Sequence, residues 1–595
     1  MNIRKIQTSL MTWMLLSVLY IQVNAQTAMT NIYGRQTTSL NGQWEAIIDQ
    51  GLVGRMRGMP ANRQPQQPHN FVEYSFEGGL KLNVPGDFNS QVPELKYYES
   101  SIWYKRDFEL DKNPDKRYFI YFGAVNYIAD VFVNGREVGS HEGGFTPFQF
   151  EITDLLRQGD NFLIVHVNNA RREDGIPGLR FDWWNFGGIT RDVFLVETPQ
   201  TYIHDYTIQL SGNSFTEIGA YVHFDGSQAG QDVRITIPEA NVDQIIRTDE
   251  SGKGQVLINT DLELWSPQSP KLYDVVISTP HETIQERIGF RTIETRGSEI
   301  LLNGEPVFLK GINIHEEIPM RKGRAFSEAD AALLLREAQL LGCNFIRFGH
   351  ISPFEKMVRM AEEMGMMMWE EIPTWQRITF DNPKTVETGE RMIREMIARD
   401  KNRAGVIFWS VANETQNNDA RNKALIGYVD LCRELDPTRL VTAAFNNMRY
   451  DASTETLTLT DPLADMLDVV SINKYFGWYD RWPVSPDQLK VEIANDRPLI
   501  YSEFGSESLY GNDGHPDVAH TWSELHHEKL HKDHILFFDN IPNLRGVAPW
   551  LLYDFRSPTR MHQYYQNGWN RKGLISDQGF HKRAWYIMHE YFQRK

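Results

Sequence analysis

The sequence predicts two β-sandwich domains followed by a TIM barrel in one chain of 595 residues. The first half consists of short aromatic and β-branched runs separated by turn residues, the pattern changes near residue 296, and the second half alternates strand-like and helical stretches. Strand runs without helices indicate sandwiches, whereas repeated βα units indicate a parallel barrel. With 41% hydrophobic and 23% charged residues, the chain has enough apolar material for packed cores.

The N-terminal segment, residues 1–25, predicts an export signal. Arg4 and Lys5 precede a mostly apolar run over residues 10–23, and small residues lead to Ala25. The apolar run is shorter than the roughly 20 residues that span a bilayer. We therefore expect cleavage near Ala25 and a mature protein, periplasmic or secreted, that has no membrane span. A buried N-terminal helix is the alternative interpretation.

Residues 26–200 predict the first sandwich, of a jelly-roll-like type. Extended runs such as those over residues 101–108 and 161–167 are rich in aromatic and β-branched side chains. Asn134 and Gly135 lie between two such runs and both tolerate positive φ, which is typical of a two-residue hairpin turn. These features indicate an antiparallel β-sandwich.

Residues 201–295 predict a second sandwich. Apolar and polar residues alternate over residues 220–224, 232–237 and 272–277, and no helical pattern interrupts them. A segment of about 95 residues with this pattern is typical of an immunoglobulin-like domain.

Residues 296–595 predict the TIM barrel. Eight strand-like runs, most of them separated by a helical stretch, are expected over residues 306–314, 343–348, 366–370, 405–411, 440–445, 468–473, 498–504 and 546–552. Ser327 is a suitable N-cap for the first helix of this region, and Gly342 can end it. The apolar positions expected on that helix are Leu333, Leu334, Leu340 and Leu341.

The net charge, the two cysteines and one histidine pair limit the partners and cofactors that we expect. The 61 basic and 78 acidic side chains give a formal net charge of -17, so we do not expect nucleic acid as a partner. Two cysteines, Cys343 and Cys432, are too few for a disulfide framework and are interpreted as core thiols. His527 and His531 lie in a polar helix-like run, which we interpret as a solvated helix face rather than a metal site. No metal or cofactor is expected.

Two glutamates follow strands of the predicted barrel. Glu414 ends the run Trp-Ser-Val-Ala-Asn-Glu after the fourth strand, and Glu503 lies in Tyr-Ser-Glu-Phe-Gly at the end of the seventh. Because active sites of TIM barrels lie at the C-terminal ends of the strands, both carboxyl groups are expected at one mouth. Two such groups serve glycoside hydrolysis as proton donor and as nucleophile or base. Alternatively, either glutamate is a solvated strand end or half of an ion pair.

These motifs and the domain order resemble glycoside hydrolase family 2. The segment from Asp182 to Asp192, Asp-Trp-Trp-Asn-Phe-Gly-Gly-Ile-Thr-Arg-Asp, is similar to the signature of that family's sugar-binding first domain. The resemblance implies a retaining mechanism with Glu414 as acid/base and Glu503 as nucleophile. It also implies that Asn413 binds the 2-hydroxyl group of the sugar, a contact that strengthens in the transition state.

Further resemblances concern the sugar. Asn570 and Lys572, in Asn-Arg-Lys-Gly, resemble the Asn-x-Lys motif with which β-glucuronidases of the family bind the C6 carboxylate. An ammonium group in a partly dehydrated pocket attracts a uronate. An ordinary basic surface turn is the alternative. The remaining substrate-binding residues implied by the resemblance are Asp182, His350, Tyr475, Tyr479 and Trp550. Of these, Tyr475 is expected to hydrogen-bond Glu503, whereas Asp182, His350, Tyr479 and Trp550 have a purely structural alternative.

Gln566 departs from the pattern. The best-matched pattern has an arginine near the sugar 4-hydroxyl at this position, so Gln566 leaves the C4 configuration open. The expected activity is that of an exo-acting β-glucuronidase on uronic-acid-terminated carbohydrate, with β-galacturonidase and then β-galactosidase as alternatives. Two alternative hypotheses belong to other functional classes: a non-catalytic carbohydrate-binding protein and a metal-dependent hydrolase. The resemblance also suggests a homo-oligomer.

Overall fold

The structure, a computed structural model, describes residues 25–63, 67, 69, 75–226, 230–493 and 496–595. The predicted export signal therefore lies outside the described residues, apart from Ala25. Within the described ranges, no helix is both long and apolar enough to cross a membrane.

The first domain is a sandwich of two antiparallel sheets, with five and six strands, and a further two-stranded pair. Its strands are Gln26–Thr27, Thr37–Ser39, Gly42–Ile48, Leu80–Val84, Ser101–Leu110, Lys116–Phe122, Val125–Asn126, Ile128–Val133, Arg136–Glu142, Phe148–Glu151, Gly159–Asn168, Gly188–Ile189 and Val193–Pro199. A short α-helix spans Phe88–Gln91. The predicted hairpin is confirmed: Val133 pairs with Arg136, and the two residues between them have positive φ.

The second domain is a seven-stranded sandwich of one three-stranded and one four-stranded antiparallel sheet. Its strands are Tyr202–Leu210, Glu217–Asp225, Asp232–Ile237, Val242–Arg247, Lys253–Asn259, Tyr273–Ser278 and Thr283–Ile288. Glu217–Asp225 buries every second residue, as expected for a strand with one face on the core. The three-plus-four arrangement agrees with the predicted immunoglobulin-like sandwich.

The third domain contains a closed barrel of eight parallel strands, and the predicted TIM barrel is confirmed. The barrel strands, named first to eighth below, are Leu309–Ile314, Phe345–Phe348, Met367–Glu371, Val406–Asn413, Leu440–Phe445, Val469–Asn473, Leu499–Glu503 and Leu544–Val547. The α-helices are Glu328–Leu341, Glu355–Glu363, Pro383–Asp400, Asp419–Leu435, Glu524–Phe538 and Arg583–Arg594.

Short strands and 3₁₀ helices lie between these domains and in their loops. Before the barrel lies a three-stranded sheet of Ile293–Arg296, Glu299–Leu302 and Glu305–Pro306. Short strands in the barrel loops are Glu317–Ile318, Gly323–Arg324, Met448–Asp451, Thr456–Leu459, Lys490–Glu492, Phe555–Arg556 and Trp569–Asn570. The 3₁₀ helices are Met59–Ala61, Pro93–Leu95, Thr153–Leu155, Pro238–Ala240, Pro462–Met466 and Ala519–Thr521.

The N-terminal end of the barrel is closed by apolar packing. Ile300 and Leu302, from the three-stranded sheet, belong to the same buried cluster as Leu309, Phe345 and Phe408 of the barrel strands. Burial of such side chains stabilises the fold by roughly 1.5–3 kcal/mol each. The opposite end, where the strands end in polar residues, is left to form the site.

The first helix of the barrel domain begins and ends as predicted. Ser327 caps it with a reciprocal capping box, and Gly342 follows it in the left-handed conformation that glycine adopts without strain. The prediction of its apolar face was wrong at Leu340, which is exposed. Leu334 and Leu341 are buried as predicted, and Leu335 is buried as well, because the helix turns this face to the barrel.

The interpretation of the histidine pair as a solvated face was wrong. His527 and His531 lie on helix Glu524–Phe538, between the seventh and eighth strands as predicted, yet both are fully buried. His527 contacts the Ser508 hydroxyl at 2.9 Å, and the His531 ring lies 5.4 Å from that of Phe504. Burial lowers the pKa of both imidazoles, that of His531 to about 4. Lys529 between them and Lys532 after them had suggested exposure, but the helix presents its histidine face to the barrel.

Both cysteines are core thiols, as predicted. Cys343 and Cys432 are buried and unpaired in the described structure, and burial raises the pKa of each thiol.

Candidate active site

A cavity of about 660 Å³ opens at the C-terminal mouth of the barrel. Its walls come from the barrel loops and from the segment around Asp182 in the first domain. Glu414, Glu503 and Lys572 all line this one cavity. A volume of this size is typical of small-molecule sites and exceeds the needs of a single sugar ring.

Glu503 ends the seventh barrel strand and is 4% exposed. Arg347 donates from Nη1 to its Oε1 at 2.5 Å, and the Tyr475 hydroxyl donates to its Oε2 at 2.6 Å. The Arg347 guanidinium is itself fully buried. Charge-assisted hydrogen bonds of this kind stabilise a carboxylate and fix its orientation. The two hydrogen bonds therefore hold the Glu503 carboxylate in one orientation.

Glu414 directly follows the fourth barrel strand and has a left-handed backbone, with φ 53°. Gln376 donates to its Oε2 and Asn473 to its Oε1, each at 3.0 Å. Both of these partners are neutral amides. Burial, followed by the nearby negative charge of Glu503, raises the pKa of Glu414. A carboxyl group in this environment favours its protonated form and can donate a proton.

A hydrogen-bond chain connects the two glutamates. Arg347, which binds Glu503, also donates from Nη2 to Asn413 Oδ1 at 2.7 Å. Asn473 donates to the same Asn413 oxygen at 2.9 Å as well as to Glu414. The Asn413 Nδ2 group is buried and has no hydrogen-bond partner among the described residues. Since an unpaired buried donor is costly, it is suited to bind a ligand oxygen.

The coupling of the carboxyl groups gives a prediction. Glu503→Gln removes a negative charge beside Glu414, so the pKa of Glu414 should fall, although burial will keep it above the ordinary value. Difference infrared spectroscopy of the carboxyl band against pH measures this shift. Glu434→Gln, on an exposed position of helix Asp419–Leu435, is the control. An unchanged Glu414 pKa in Glu503→Gln would show that the two groups do not interact.

His350 and Trp550 form one wall of the cavity. Their rings stack with centroids 4.9 Å apart. His350 Nδ1 contacts Glu371 Oε1 at 2.7 Å, which fixes the imidazole plane. Although burial opposes it, the Arg347 charge and the contact with His350 lower the pKa of Glu371 to about 2. An aromatic wall beside the two carboxyl groups suits the apolar face of a pyranose ring.

Lys572, Asn570 and Asp182 meet at the far end of the cavity. Lys572 is 1% exposed. Its Nζ group donates to the Tyr479 hydroxyl at 2.8 Å and lies 3.5 Å from Asn570 Oδ1. Asn570 donates from Nδ2 to Asp182 Oδ2 at 3.2 Å. An ammonium group has three donors, so Lys572 retains capacity for an anionic ligand. We name Lys572, Asn570, Asp182 and Tyr479 the sugar end of the cavity.

The structure differs from the sequence prediction at Gln566. This residue does not line the cavity; its Nε2 group donates to both carboxylate oxygens of Glu507, at 2.9 and 2.8 Å. It is 8% exposed, and its role is to hold Glu507 behind Lys572. The physical reason is that a buried carboxylate takes the amide as a hydrogen-bond donor.

Arg560 places a guanidinium group in the cavity that sequence reasoning missed. It binds Asp182 with Nη2 at 2.6 Å from Oδ2, and it donates to the Tyr479 hydroxyl at 2.9 Å. Although burial opposes it, the Arg560 charge lowers the pKa of Asp182. Since Arg560 and Lys572 both donate to the Tyr479 oxygen, the Tyr479 hydrogen is free to bind a ligand.

The structure thus brings Asp182, His350, Tyr475, Tyr479, Trp550, Asn570 and Lys572 together with both glutamates around one cavity, with Asn413 directly behind it. Other residues that the sequence prediction missed are Arg347, Glu371, Gln376, Asn473 and His315. Arg347 lies three residues before His350, and Asn473 lies two residues before Tyr475. Arg347, Asn473 and Glu371 all lie at or near the C-terminal end of a barrel strand, so a search of all strand ends would have found them. The described residues contain no cluster of three or more His, Cys, Asp or Glu suited to a metal ion.

A barrel mouth with one oriented carboxylate and one carboxyl group of raised pKa has the groups that a two-carboxylate glycosidase requires. Comparison with family models agrees over nearly the whole described chain. Residues 38–199 match the sugar-binding domain of glycosyl hydrolases family 2, residues 201–291 match the family 2 model, and residues 293–592 match its TIM barrel domain. The chain belongs to glycoside hydrolase family 2.

Individual relatives have similar lengths. A β-glucuronidase of Rattus norvegicus is 29% identical over an alignment of 628 positions, covering 94% of this chain and 91% of the relative. A β-glucuronidase of Streptococcus agalactiae is 27% identical over 551 residues, covering 83% and 88%. The solved Ruminococcus gnavus β-glucuronidase superposes with a TM-score of 0.80 at 23% identity, over 96% of this chain and 99% of that chain. A β-galacturonidase of Eisenbergiella tayi has a TM-score of 0.78 at 24% identity, over 94% and 97%.

Proposed function

We propose that the protein is a retaining exo-β-glucuronidase that removes a terminal β-linked glucuronic acid. The observation that carries the proposal is that Glu414, Glu503 and the buried Lys572 line one cavity. The names of the relatives from Rattus norvegicus and Streptococcus agalactiae support the same activity.

In the first step, Glu503 attacks the anomeric carbon, which forms the glycosyl-enzyme bond and breaks the bond to the leaving oxygen. Glu414 protonates that oxygen as it leaves. Once Glu503 is esterified its negative charge is gone, so the pKa of Glu414 falls. In the second step, Glu414 is therefore able to take a proton from water, which attacks the anomeric carbon and restores the Glu503 carboxylate.

The other groups of the cavity support this sequence of steps. The free Nδ2 donor of Asn413 is placed to hold a sugar hydroxyl between the two carboxyl groups. Arg347 and Tyr475 keep the Glu503 carboxylate aligned before attack. At the sugar end, Lys572 supplies positive charge to a C6 carboxylate, and the free Tyr479 hydrogen supplies a directional hydrogen bond.

The burial of two residues at the sugar end supports an exo mode of action. Lys572 and Asn570 are almost fully buried, so a chain cannot continue past these two side chains. A single terminal residue enters, and the remainder of the substrate extends out of the mouth.

The proposal is tested by nitrophenol release from β-glucuronide, β-galacturonide and β-galactoside under identical conditions. We expect the glucuronide to give the highest kcat/KM. A preference for the neutral galactoside would overturn the assignment of Lys572. A preference for the galacturonide would retain the uronate site and reverse the C4 configuration.

Lys572→Ala gives a further prediction. Loss of the ammonium group should lower kcat/KM for the glucuronide by about 100-fold, the scale of a buried charged hydrogen bond, with a much smaller loss for the galactoside. Lys474→Ala is the matched control, because Lys474 lines the same cavity but is already paired with Asp480 at 2.9 Å. Equal losses on both substrates in Lys572→Ala would make this lysine structural.

We also propose that the protein is exported. The proposal rests on the basic start, apolar run and small-residue exit of residues 1–25. N-terminal sequencing of the protein recovered from its native cells should find a start close after Ala25. Such an exported enzyme would act on extracellular or periplasmic uronic-acid-containing glycans.

A further inference from the structure

Two arginines lie at the mouth of the active-site cavity. Arg180, from the first domain, and Arg377, from the barrel domain, are both exposed and both line the cavity. Among the described residues, neither guanidinium group has a hydrogen bond or an ion pair. The other cations that line the cavity have carboxylate neighbours: Lys474 with Asp480, Arg560 with Asp182, and Lys572 with Glu507 at 3.7 Å. The uncompensated positive charge of the cavity is therefore concentrated at its mouth.

The position of Arg377 relates it to the leaving group. Gln376, the preceding residue, donates to Glu414, the group that protonates the leaving oxygen. In the proposed exo mode, the part of the substrate beyond the cleaved bond extends from Glu414 toward the mouth. Since Arg377 directly follows Gln376 and lines the same cavity, we expect the second sugar ring to lie near Arg377.

The backbone at both arginines is held in place. Gln376 N donates to Asn413 O at 2.9 Å, and Asn413 N donates to Thr374 O at 2.9 Å, so this loop is joined to the fourth barrel strand. On the other side, Gly178 lies so close to Arg377 that an added Cβ atom would be 2.6 Å from the Arg377 carbonyl oxygen. The segment that carries Arg180 therefore packs directly against the loop that carries Arg377.

Aromatic side chains continue this surface. Trp183 and Trp375 contact each other edge to face, with centroids 5.7 Å apart, and Phe181 lies 4.8 Å from Trp183. All three line the cavity. Aromatic rings beside guanidinium groups suit a sugar ring that carries an anionic substituent, since the rings contact its apolar face and the arginines bind its charge.

We propose that Arg180 and Arg377 form a subsite for a sulfate or carboxylate group on the sugar that follows the cleaved uronic acid. This inference rests on the proposed β-glucuronidase activity and specifies its substrate as an anionic oligosaccharide. Guanidinium groups bind both anions through paired N–H donors, so the two substituents share one chemistry at this site.

The experiment compares three disaccharides in which glucuronic acid is β-linked to a neutral sugar, to its sulfated form and to a uronic acid. The wild-type enzyme should hydrolyse the sulfated or the uronate disaccharide with about tenfold higher kcat/KM than the neutral one, the scale of two exposed ion pairs. Added salt should reduce this preference. The two anionic substrates distinguish a sulfate from a carboxylate site.

Arg180→Ala/Arg377→Ala should abolish the preference and leave hydrolysis of nitrophenyl β-glucuronide within about twofold, since this small substrate carries no anionic second sugar. Arg336→Ala/Arg394→Ala removes the same charge from two exposed helix positions outside the cavity and should change neither value. Equal rates on neutral and anionic disaccharides by the wild type, or an unchanged preference in the double variant, would overturn the subsite.

Calorimetry separates this inference from the proposed activity. Binding of the same disaccharides to Glu503→Gln should show the same preference for the anionic forms without turnover. If nitrophenyl β-glucuronide is not hydrolysed by the wild type, the proposed activity fails, while the binding comparison still decides whether the mouth is an anion subsite.

Discussion

Glu503→Gln should lower kcat on nitrophenyl β-glucuronide by at least about 10⁴-fold, because the amide cannot form the covalent intermediate. The substitution preserves the volume of the side chain, and its amide oxygen can still accept from Arg347 while its NH2 group donates to the Tyr475 oxygen, so the cavity should remain intact. Steady-state kinetics and a thermal unfolding curve measure the two effects separately. We expect the large loss of rate without a comparable loss of stability.

The surface substitution Glu434→Gln is the control and should leave kcat unchanged. A second variant, Glu503→Ala, tests the role of Glu503 directly. With azide as an external nucleophile, the vacated face should give the α-glucuronosyl azide, since attack then occurs once rather than twice. Activity of Glu503→Gln within about tenfold of wild type would assign the nucleophile to another residue.

Glu414→Gln should lower kcat/KM by about 10²–10⁴-fold on a glucuronide with an alkyl or sugar leaving group. Formation of the glycosyl-enzyme from nitrophenyl β-glucuronide should be much less affected, because nitrophenolate leaves without protonation. The wild-type profile should lose activity at high pH, where Glu414 deprotonates, and the raised pKa places this loss above the usual range of a glutamate. The pH profile of Glu414→Gln should lack this loss of activity at high pH.

Presteady-state measurement of nitrophenol release distinguishes the first step from the second in this variant. Gln376→Leu is the matched control, since it removes a hydrogen bond to Glu414 while retaining the carboxyl group. Because the carboxyl group can still act as the acid, this variant should reduce the rate on the alkyl glucuronide far less than Glu414→Gln does. Equal losses for alkyl and nitrophenyl leaving groups in Glu414→Gln would contradict its role as the acid.

The fold was predictable because its signals are local. Alternating burial along strands such as Glu217–Asp225, and the turn formed by Asn134 and Gly135, follow from short-range patterns in the sequence. The same holds for the helix that begins after Ser327 and ends at Gly342. Local patterns were insufficient where a helix has two polar-looking faces, and so His527 and His531 were placed in solvent although they face the barrel.

The candidate site was predictable where its residues end strands or belong to a recognised motif. Glu414, Glu503 and Tyr475 were found in this way, and the contact between Tyr475 and Glu503 is present as expected. Arg560 was missed because it lies in a loop without a distinguishing sequence pattern. Its position in the cavity depends on the ion pair with Asp182, which belongs to another domain.

The sequence by itself determined the order of three domains, the barrel and the pair of glutamates, because hydrophobic periodicity and strand-end motifs act over a few residues. Only the tertiary structure decided how these groups are charged and paired. Arg347 orients Glu503, and burial together with Glu503 raises the pKa of Glu414. Gln566 binds Glu507 and does not line the cavity. Desolvation and charge interactions depend on distances between segments remote in sequence, which no local pattern contains.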